Sequence, residues 1–264
     1  MIEAYYGLKR PPFTKEIRSE SMMETYDSRE ALARLSHIRQ HRGLFCLTGE
    51  PGSGKTSVLR KFVDTLNPQT FHHCYTPHAT VSRVDFYRPL NTLLNLPPRM
   101  RKSDLFDQIQ RAVQDLYGRQ GKIPTFIIDE VQLMDHETLQ EITLITNFEM
   151  DSKMPFLFVL IGQPEFREKL KRRIHEPLSQ RMPLRYHMVG LTLEEARRYI
   201  LHHLKLAGRA DPLFEESSFE VIHQAAQGLP RKINHLCLAA MTAAMVKKSQ
   251  VVTAEHVIQA AGGA

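Results

Sequence analysis

The sequence lacks any apolar run that approaches the roughly 18 residues needed to span a bilayer. Its longest apolar stretches, 156–161 and 236–246, are typical of a protein core. Three cysteines without a CxxC spacing exclude a disulfide framework and a zinc ribbon, and indicate a reducing compartment. No internal repeat, low-complexity tract or signal peptide is visible. With 42% hydrophobic and 24% charged residues, the sequence predicts a globular cytoplasmic protein without membrane insertion.

The chain has little excess charge of either sign. Its 35 Lys and Arg residues exceed 29 Asp and Glu residues by six. The segment 190–264 holds eight basic and seven acidic residues, so a net charge of +5 belongs to 1–189. A mildly basic balance is compatible with nucleic acid or an acidic membrane surface. We therefore expect any polyanion-binding surface in 1–189.

Short apolar runs alternate with helix-like segments over the first two thirds of the chain, which predicts a parallel sheet covered by helices on both faces, an α/β fold. The predicted strands are 43–48, 70–75, 125–128, 156–161 and 184–189. The predicted helices are 28–42, 57–66, 105–117 and 137–150, followed by 193–206, 219–226, 231–248 and 253–260. Three regions result: an N-terminal arm and helix (1–42), a core (43–189) and a small all-helical lid domain (190–264).

Local sequence patterns predict how several of these segments begin. Residues 1–13 contain Tyr and Pro residues and indicate an extended arm. The pattern of a polar residue followed three positions later by Glu predicts capping boxes at Asp27, Thr192 and Ser217. Pro230 fits the first turn of a helix.

A glycine-rich motif follows the first predicted strand. Residues 49–56 match G-x-x-x-x-G-K-[ST], with a helix after them. Backbone N–H groups and the helix N-terminus suit phosphates, so we predict an ATP site. Lys55 is expected at the β- and γ-phosphates and the Thr56 hydroxyl at Mg²⁺. The predicted cofactor-binding residues of this loop are Glu50, Pro51, Gly52, Ser53, Gly54, Lys55, Thr56 and Ser57.

A second motif ends the strand 125–128. Asp129 is expected to hold Mg²⁺, and Glu130 to polarise the water that attacks the γ-phosphate. Lys55 and Asp129 are 74 residues apart, with a predicted strand and two helical segments between them. This spacing suits P-loop ATPases with an added strand and an adjacent glutamate better than small GTPases or nucleotide kinases.

The core followed by a helical lid resembles an AAA+ ATPase. The run 158–165 is similar to the strand that ends in a sensor-1 residue, which implies that Gln163 orients water or reads the γ-phosphate. The run 178–181 resembles the arginine-finger segment, so Arg181 would reach a neighbouring subunit's ATP site, with Arg172 and Arg173 as rivals. The run 228–234 is similar to a sensor-2 motif, which implies that Arg231 touches the γ-phosphate.

The resemblance narrows to the ExeA (general secretion pathway protein A) group. It rests on the N-terminal arm, the 162–165 turn, the 180–181 pair and the 229–234 run. Secretion members of that group carry a membrane span and a cell-wall-binding region after the ATPase, and none follows residue 264. We therefore expect a stand-alone ATPase similar to the transposition helpers of the TnsC, TniB, IstB and MuB type. This implies an oligomer, ring or filament, that hydrolyses ATP weakly alone, binds duplex DNA and regulates a transposase.

Basic loops are the candidate DNA contacts. Arg99, Arg101 and Lys102 lie in one such loop, and Arg83 closes the segment 80–83, where initiator-type ATPases place duplex-tracking residues. Cations on loops suit phosphate contacts without base reading. The basic run 169–173 is equally suited to a DNA surface, an interface or a solvated helix.

Two other function classes stay open at this stage. One is a secretion or envelope-assembly ATPase that acts on a protein partner, and the other is a replication-initiator or clamp-loader-like switch. A metal site is not predicted, although His72, His73, Cys74 and His78 are close in sequence, because no second ligand pair is evident.

Overall fold

The computed structural model describes residues 2–77, 82–149 and 152–262. The chain divides into two compact units. A sheet unit comprises Glu30–Gly49 and Val58–Met188. A helical unit comprises Met1–Arg29, Glu50–Ser57 and Val189–Ala264, so it includes the glycine-rich loop. The division into 1–42, 43–189 and 190–264 stays a prediction.

The sheet unit contains a five-stranded parallel sheet in the order β2-β3-β4-β1-β5. Its strands are β1 (Gly43–Gly49), β2 (Phe71–Thr76), β3 (Ile123–Ile128), β4 (Leu157–Gly162) and β5 (Leu184–Met188). Every predicted strand is confirmed within two residues at either end. Buried apolar runs form parallel strands here because helices cover both faces.

Helices cover the two faces of this sheet through separate apolar cores. The helices that lie wholly or for most of their length in the sheet unit are α2 (Tyr26–His41), α3 (Lys55–Asp64), α4 (Arg83–Leu93), α5 (Lys102–Gly118), α6 (His136–Ile145), α7 (Pro164–Lys171) and α8 (Glu176–Gln180). Along β1, Leu44 and Cys46 pack with residues of α4 to α8. Phe45 and Leu47 point to the other face and pack with α2 and α3. The period of two along the strand produces this division.

Within its described residues, the helical unit contains four helices after residue 190 and one near the N-terminus. These are α1 (Ile2–Tyr6), α9 (Leu193–Leu206), α10 (Glu216–Ala226), α11 (Pro230–Val246) and α12 (Ala254–Gly262). The predicted extended arm is wrong, because residues 2–6 are helical. Tyr6, Leu8 and Phe13 are buried in the core of this unit, and the Tyr6 hydroxyl donates to the Met241 carbonyl at 2.9 Å. The burial of these side chains fixes the segment to the helices.

One of the three predicted capping boxes is confirmed. At α9, Thr192 Oγ1 accepts from the N–H of Glu195, and the Glu195 carboxylate accepts from the N–H of Thr192. The box at Ser217 is wrong, because α10 begins earlier and follows Glu215, whose side chain caps nothing. Capping patterns therefore located the right helices here but not always their first residues.

The box at Asp27 is also wrong, for a reason that involves tertiary structure. Thr25 Oγ1 accepts from the N–H of Ser28 at 3.1 Å and caps α2 in its place. The buried Asp27 carboxylate accepts from the N–H groups of Val189 and Gly190 at 2.8 and 2.9 Å. A long-range contact within the helical unit has replaced the local one.

The predicted helix 137–150 is shorter than expected. It ends at Ile145, and the next residue, Thr146, donates its hydroxyl to the Ile142 carbonyl. Phe148 then forms an isolated bridge with Lys153. The last predicted residue of the helix lies outside the described residues. None of the helices in the described part of the chain has the length and apolarity that a bilayer crossing requires.

Candidate active site

The glycine-rich loop lies between β1 and α3, as the motif requires. Gly52 and Gly54 have φ angles of +85° and +103°, which favour glycine. Lys55 Nζ donates to the Glu50 carbonyl at 3.0 Å, and the Ser53 N–H donates to the same oxygen at 3.0 Å. The loop therefore curls upon itself at the N-terminus of a helix, where backbone N–H groups suit phosphate.

Ser53 tests whether this loop fits a phosphate. Its side chain is 3% exposed, and its hydroxyl has no hydrogen-bond partner in the structure. A buried polar atom without a partner is uncommon in native proteins and is explained by a ligand or a water. The orphaned hydroxyl inside a glycine-rich loop fits a bound phosphate group.

The structure brings Arg231 to this loop within the helical unit. The N–H of Arg231, in the first turn of α11, donates to the Gly52 carbonyl at 3.3 Å. A Cβ atom on Gly52 would lie 2.5 Å from Arg231 Cβ, so no side chain fits at residue 52. The Arg231 side chain is exposed. Two segments that lie far apart in sequence, both predicted to bind ATP, are therefore in backbone contact.

Asp129 follows β3 and is 8% exposed. Its N–H donates to the Thr76 carbonyl at 3.0 Å, and its Oδ2 accepts from the Tyr75 hydroxyl at 3.2 Å. Burial and the Asp129 charge raise the pKa of Tyr75 to about 12, so this phenol stays a donor. Thr76 Oγ1 is buried and without a hydrogen-bond partner. Carboxylate and hydroxyl oxygens are the ligands that Mg²⁺ prefers, so this strand end fits the ion.

Glu130 adopts an unusual backbone conformation, with φ +56° and ψ +34°. Its N–H donates to Asp129 Oδ1 at 2.8 Å. Its Oε2 accepts from Gln163 Nε2 at 3.1 Å and from Gln132 Nε2 at 2.5 Å. Non-glycine residues at positive φ concentrate at functional sites. The structure thus brings together the predicted base and the predicted sensor, together with a third residue, Gln132.

Sequence reasoning missed Gln132, Tyr75 and Thr76. The signal for Gln132 was an amide two residues after Glu130. Tyr75 and Thr76 lie at the carboxyl end of β2, and the carboxyl ends of parallel strands meet at one edge of a sheet. Their position at a strand end was therefore the sequence feature that could have identified them. Their roles depend on strand order, which the sequence did not supply.

The three candidate arginine fingers lie close together in sequence but differ in environment. Arg181 follows α8 and is half-buried. Arg172 and Arg173 lie between α7 and α8, and both are exposed. The choice among the three therefore stays open, with Arg181 as the prediction.

Two of the four predicted DNA-binding cations have intramolecular partners. Arg83 NH2 lies 2.6 Å from Glu137 Oε2 in an exposed ion pair. Lys102 Nζ lies 2.5 Å from Glu141 Oε1, and the Glu141 side chain is only 3% exposed. The Lys102 ammonium thus forms an ion pair with a buried carboxylate. A contact between Lys102 and DNA would have to break this pair.

The other two cations lie in the loop before α5. Arg99 and Arg101 are both exposed. They are therefore better placed for a phosphate backbone than the paired cations. Of the segment 80–83, Thr80 and Val81 lie outside the described residues.

The three cysteines are buried, and His72 has a hydrogen-bond partner in the backbone. His72 Nε2 lies 3.1 Å from the Leu93 carbonyl. Burial raises the pKa of Cys46 and of Cys74 to about 12, and raises the pKa of Cys237. Within 2–77, 82–149 and 152–262, no group of three His, Cys, Asp or Glu residues is placed to hold a metal ion by itself. His78 lies outside these ranges.

Each of the two units contains groups whose chemistry suits a nucleotide. The loop and helix N-terminus offer N–H donors to phosphates, and Asp129 offers oxygen to a divalent ion. Glu130 is a carboxylate oriented by two amides, which suits a residue that aligns and deprotonates water.

A family model described as an AAA domain matches residues 38–170, about half of the chain. The chain belongs to the AAA domain family. It is 31% identical over 253 residues to general secretion pathway protein A of Aeromonas hydrophila, which supports an ExeA-like AAA+ ATPase. That match covers 94% of this chain and 46% of the relative, so the chain spans less than half of the relative's length.

Solved structures share the AAA+ fold at low sequence identity. Cdc6p from Pyrobaculum aerophilum matches with a TM-score of 0.71 and 16% identity over 94% of this chain and 69% of that chain. The RuvB Holliday junction branch migration motor of Thermotoga maritima matches with a TM-score of 0.59 and 18% identity over 91% and 70%. Aeropyrum pernix ORC1, solved in complex with DNA, matches with a TM-score of 0.63 and 17% identity over 95% and 68%. The predicted P-loop core with a helical C-terminal region is confirmed.

Proposed function

We propose that this AAA+ protein binds ATP and Mg²⁺, assembles with copies of itself in the ATP state and binds duplex DNA without strong sequence preference. In this role it recruits or activates a transposase. The observation that carries the proposal is the Glu130 carboxylate, which two amides orient next to Asp129. The DNA part rests on the exposed Arg99 and Arg101. The transposase part rests on the resemblance to helper ATPases.

The residues have the following roles in this proposal. The loop 50–57 and Arg231 hold the phosphates, with Thr56 and Asp129 at Mg²⁺. Glu130 activates water, Gln163 senses the γ-phosphate and Arg181 acts in the neighbouring subunit. Because the finger comes from a neighbour, hydrolysis is slow in the monomer and rises on assembly. In the same proposal the arm and first helix are residues 1–42, the ATPase core is 43–189 and the lid is 190–264.

The test is duplex-DNA binding measured by fluorescence anisotropy at two salt concentrations. It is run without nucleotide, with ADP and with a non-hydrolysable ATP analogue, beside Lys55→Ala. Binding that needs the analogue, weakens with salt and disappears in Lys55→Ala supports the proposal. In Arg99→Ala/Arg101→Ala, loss of two phosphate contacts lowers the slope of log affinity against log salt by about 2. An unchanged slope removes this loop from the interface.

The transposase part is tested separately: the genes beside this one are searched for a transposase, and a transposase found there is added to the ATP- and DNA-bound protein. Stimulated hydrolysis or co-assembly supports the proposal. The absence of both removes the transposase as the partner.

A second candidate is a secretion or envelope-assembly ATPase that acts on a protein partner. The 31% identity to general secretion pathway protein A favours it. A replication-initiator-like role is a third, since Cdc6p and ORC1 share the fold. Retained ATP binding without DNA binding in any nucleotide state favours the secretion role.

A further inference from the structure

Gln132 is one of the two amides that contact Glu130, and its other contacts reach α7. It lies in the 3-10 turn Val131–Leu133, directly after Glu130, and is 9% exposed. A buried amide is costly unless its donors and acceptor are satisfied. Both ends of this amide have partners: Nε2 donates to Glu130 Oε2, and Oε1 accepts from the backbone N–H of Gln163 at 3.0 Å.

The Gln163 N–H determines which way the Gln132 amide points. A backbone N–H can only donate, so the atom that faces it is the carbonyl oxygen of the amide. The NH₂ group therefore faces Glu130 and offers it a donor. Gln163 is also the residue before the first turn of α7, and its side chain donates to the same Glu130 oxygen. Gln163, at the N-terminus of α7, thus contacts Glu130 directly through its side chain and indirectly through Gln132.

The backbone of the turn that carries Gln132 is also held by α7. Lys169, in the last turn of α7, donates from Nζ to the carbonyls of Gln132 and Met134 at 2.5 and 2.8 Å. Burial and the nearby charge of Arg172 lower the pKa of Lys169. Lys169 accordingly ties the turn that carries Gln132 to α7.

Gly162 has no side chain, which leaves room for neighbouring side chains that include the Gln132 amide. A Cβ on Gly162 would lie 2.9 Å from Val131 Cγ2 and 3.2 Å from Gln132 Oε1. No positive φ demands glycine there, since Gly162 is absent from the left-handed residues of the described chain. Phe166 Cβ would lie at the same distance, 3.2 Å, so glycine at residue 162 leaves room for Val131, Gln132 and Phe166 together.

We propose that Gln132 is the positioning residue for Glu130, and that α7 sets this position through Gln163 and Lys169. The inference rests on the proposed function, in which Glu130 activates water. Gln132 does not touch the reacting atoms. It fixes the rotamer of a carboxylate that stands on a left-handed backbone and would otherwise be held by one amide. Displacement of α7 would then change hydrolysis through the orientation of Glu130.

The test compares Gln132→Met with Gln140→Met. Methionine has a similar length to glutamine but offers no N–H donor, and Gln140 is an exposed residue of α6. In Gln132→Met we expect kcat to fall about 10- to 100-fold, because misplacement of a catalytic group by about 1 Å has effects of this size. The KM for ATP, the affinity for a fluorescent ATP analogue and the thermal midpoint stay near wild type. Gln140→Met retains wild-type values throughout.

Two further variants test the same contact independently, each with its thermal midpoint measured beside its turnover. Gly162→Ala leaves the Gln132 amide in place chemically but crowds it, and is expected to lower kcat in the same way. In a Glu130→Gln background, adding Gln132→Met lowers single-turnover hydrolysis by less than about twofold, because both changes act on one group. An additive fall, or a kcat of Gln132→Met within twofold of wild type, overturns the role of Gln132. Wild-type turnover by Glu130→Gln instead overturns the base assignment of the proposed function.

Discussion

Lys102 was predicted to bind DNA, and its structural surroundings predict a different effect of its removal. Its ammonium pairs with Glu141, which is 3% exposed and also accepts from the Tyr87 hydroxyl at 2.6 Å. Lys102→Met would leave this carboxylate with one neutral donor. The residue is therefore expected to stabilise the sheet unit.

The magnitude follows from the burial of the two partners. Breaking a fully buried ion pair by removing one partner costs about 3–5 kcal/mol. Lys102 is 38% exposed, so water can partly replace it, and we expect about 2–3 kcal/mol. For a chain of this size that corresponds to a fall of about 5–10 °C in Tm.

The assay is thermal unfolding followed by circular dichroism, with Arg83→Met as the matched control. Arg83, in α4, pairs with Glu137, which lies on α6 as Glu141 does, but both side chains of this pair are about half exposed, at 49% and 56%. Its loss should cost less than about 1 kcal/mol. The double variant Lys102→Met/Glu141→Gln should recover most of the lost stability, since a neutral amide oxygen still accepts from Tyr87. An unchanged Tm in Lys102→Met, with weakened DNA binding, would refute the structural role and restore Lys102 as a DNA contact.

Three other substitutions test the site. Glu130→Gln should retain ATP binding and lose turnover by about 100-fold or more, as measured by phosphate release; normal turnover would contradict its role. Arg181→Ala should bind ATP normally yet lose the part of hydrolysis that rises with protein concentration, by about 10³-fold or more, while an unaffected rate would direct attention to Arg172. Gly52→Ala should lower the Tm and weaken binding of a fluorescent ATP analogue, because its Cβ would lie 2.5 Å from Arg231 Cβ at a φ of +85°; wild-type Tm and affinity would show that this approach of loop and helix is dispensable.

The strands and the two nucleotide motifs could be predicted because their signals are local. A run such as 157–162 is apolar on both faces, which distinguishes a covered parallel strand without knowledge of its neighbours. The glycine-rich loop is likewise defined within eight residues. The order of the strands in the sheet and the packing of helices on its faces have no comparable local sequence signal.

The remaining features depend on contacts between distant segments. Phe13 is buried because His203 and Phe214 lie against it, and the sequence around Phe13 does not show these partners. A lysine in a basic loop has the same local pattern whether it faces solvent or, as at residue 102, a buried carboxylate. Gln132 likewise acquires its geometry only when β4 and α7 are next to the turn that carries it.

The burial of the three thiols has a practical consequence for experiments on this protein. Cys46 and Cys74 belong to the sheet unit and Cys237 to the helical unit, and all three are shielded from thiol reagents in the folded chain. Because a protonated, buried thiol reacts only when its surroundings open, the labelling rate of each cysteine reports the opening of its own unit. A cysteine introduced at an exposed position would meanwhile be labelled first. The native sequence can therefore carry a single fluorophore without prior removal of its own cysteines.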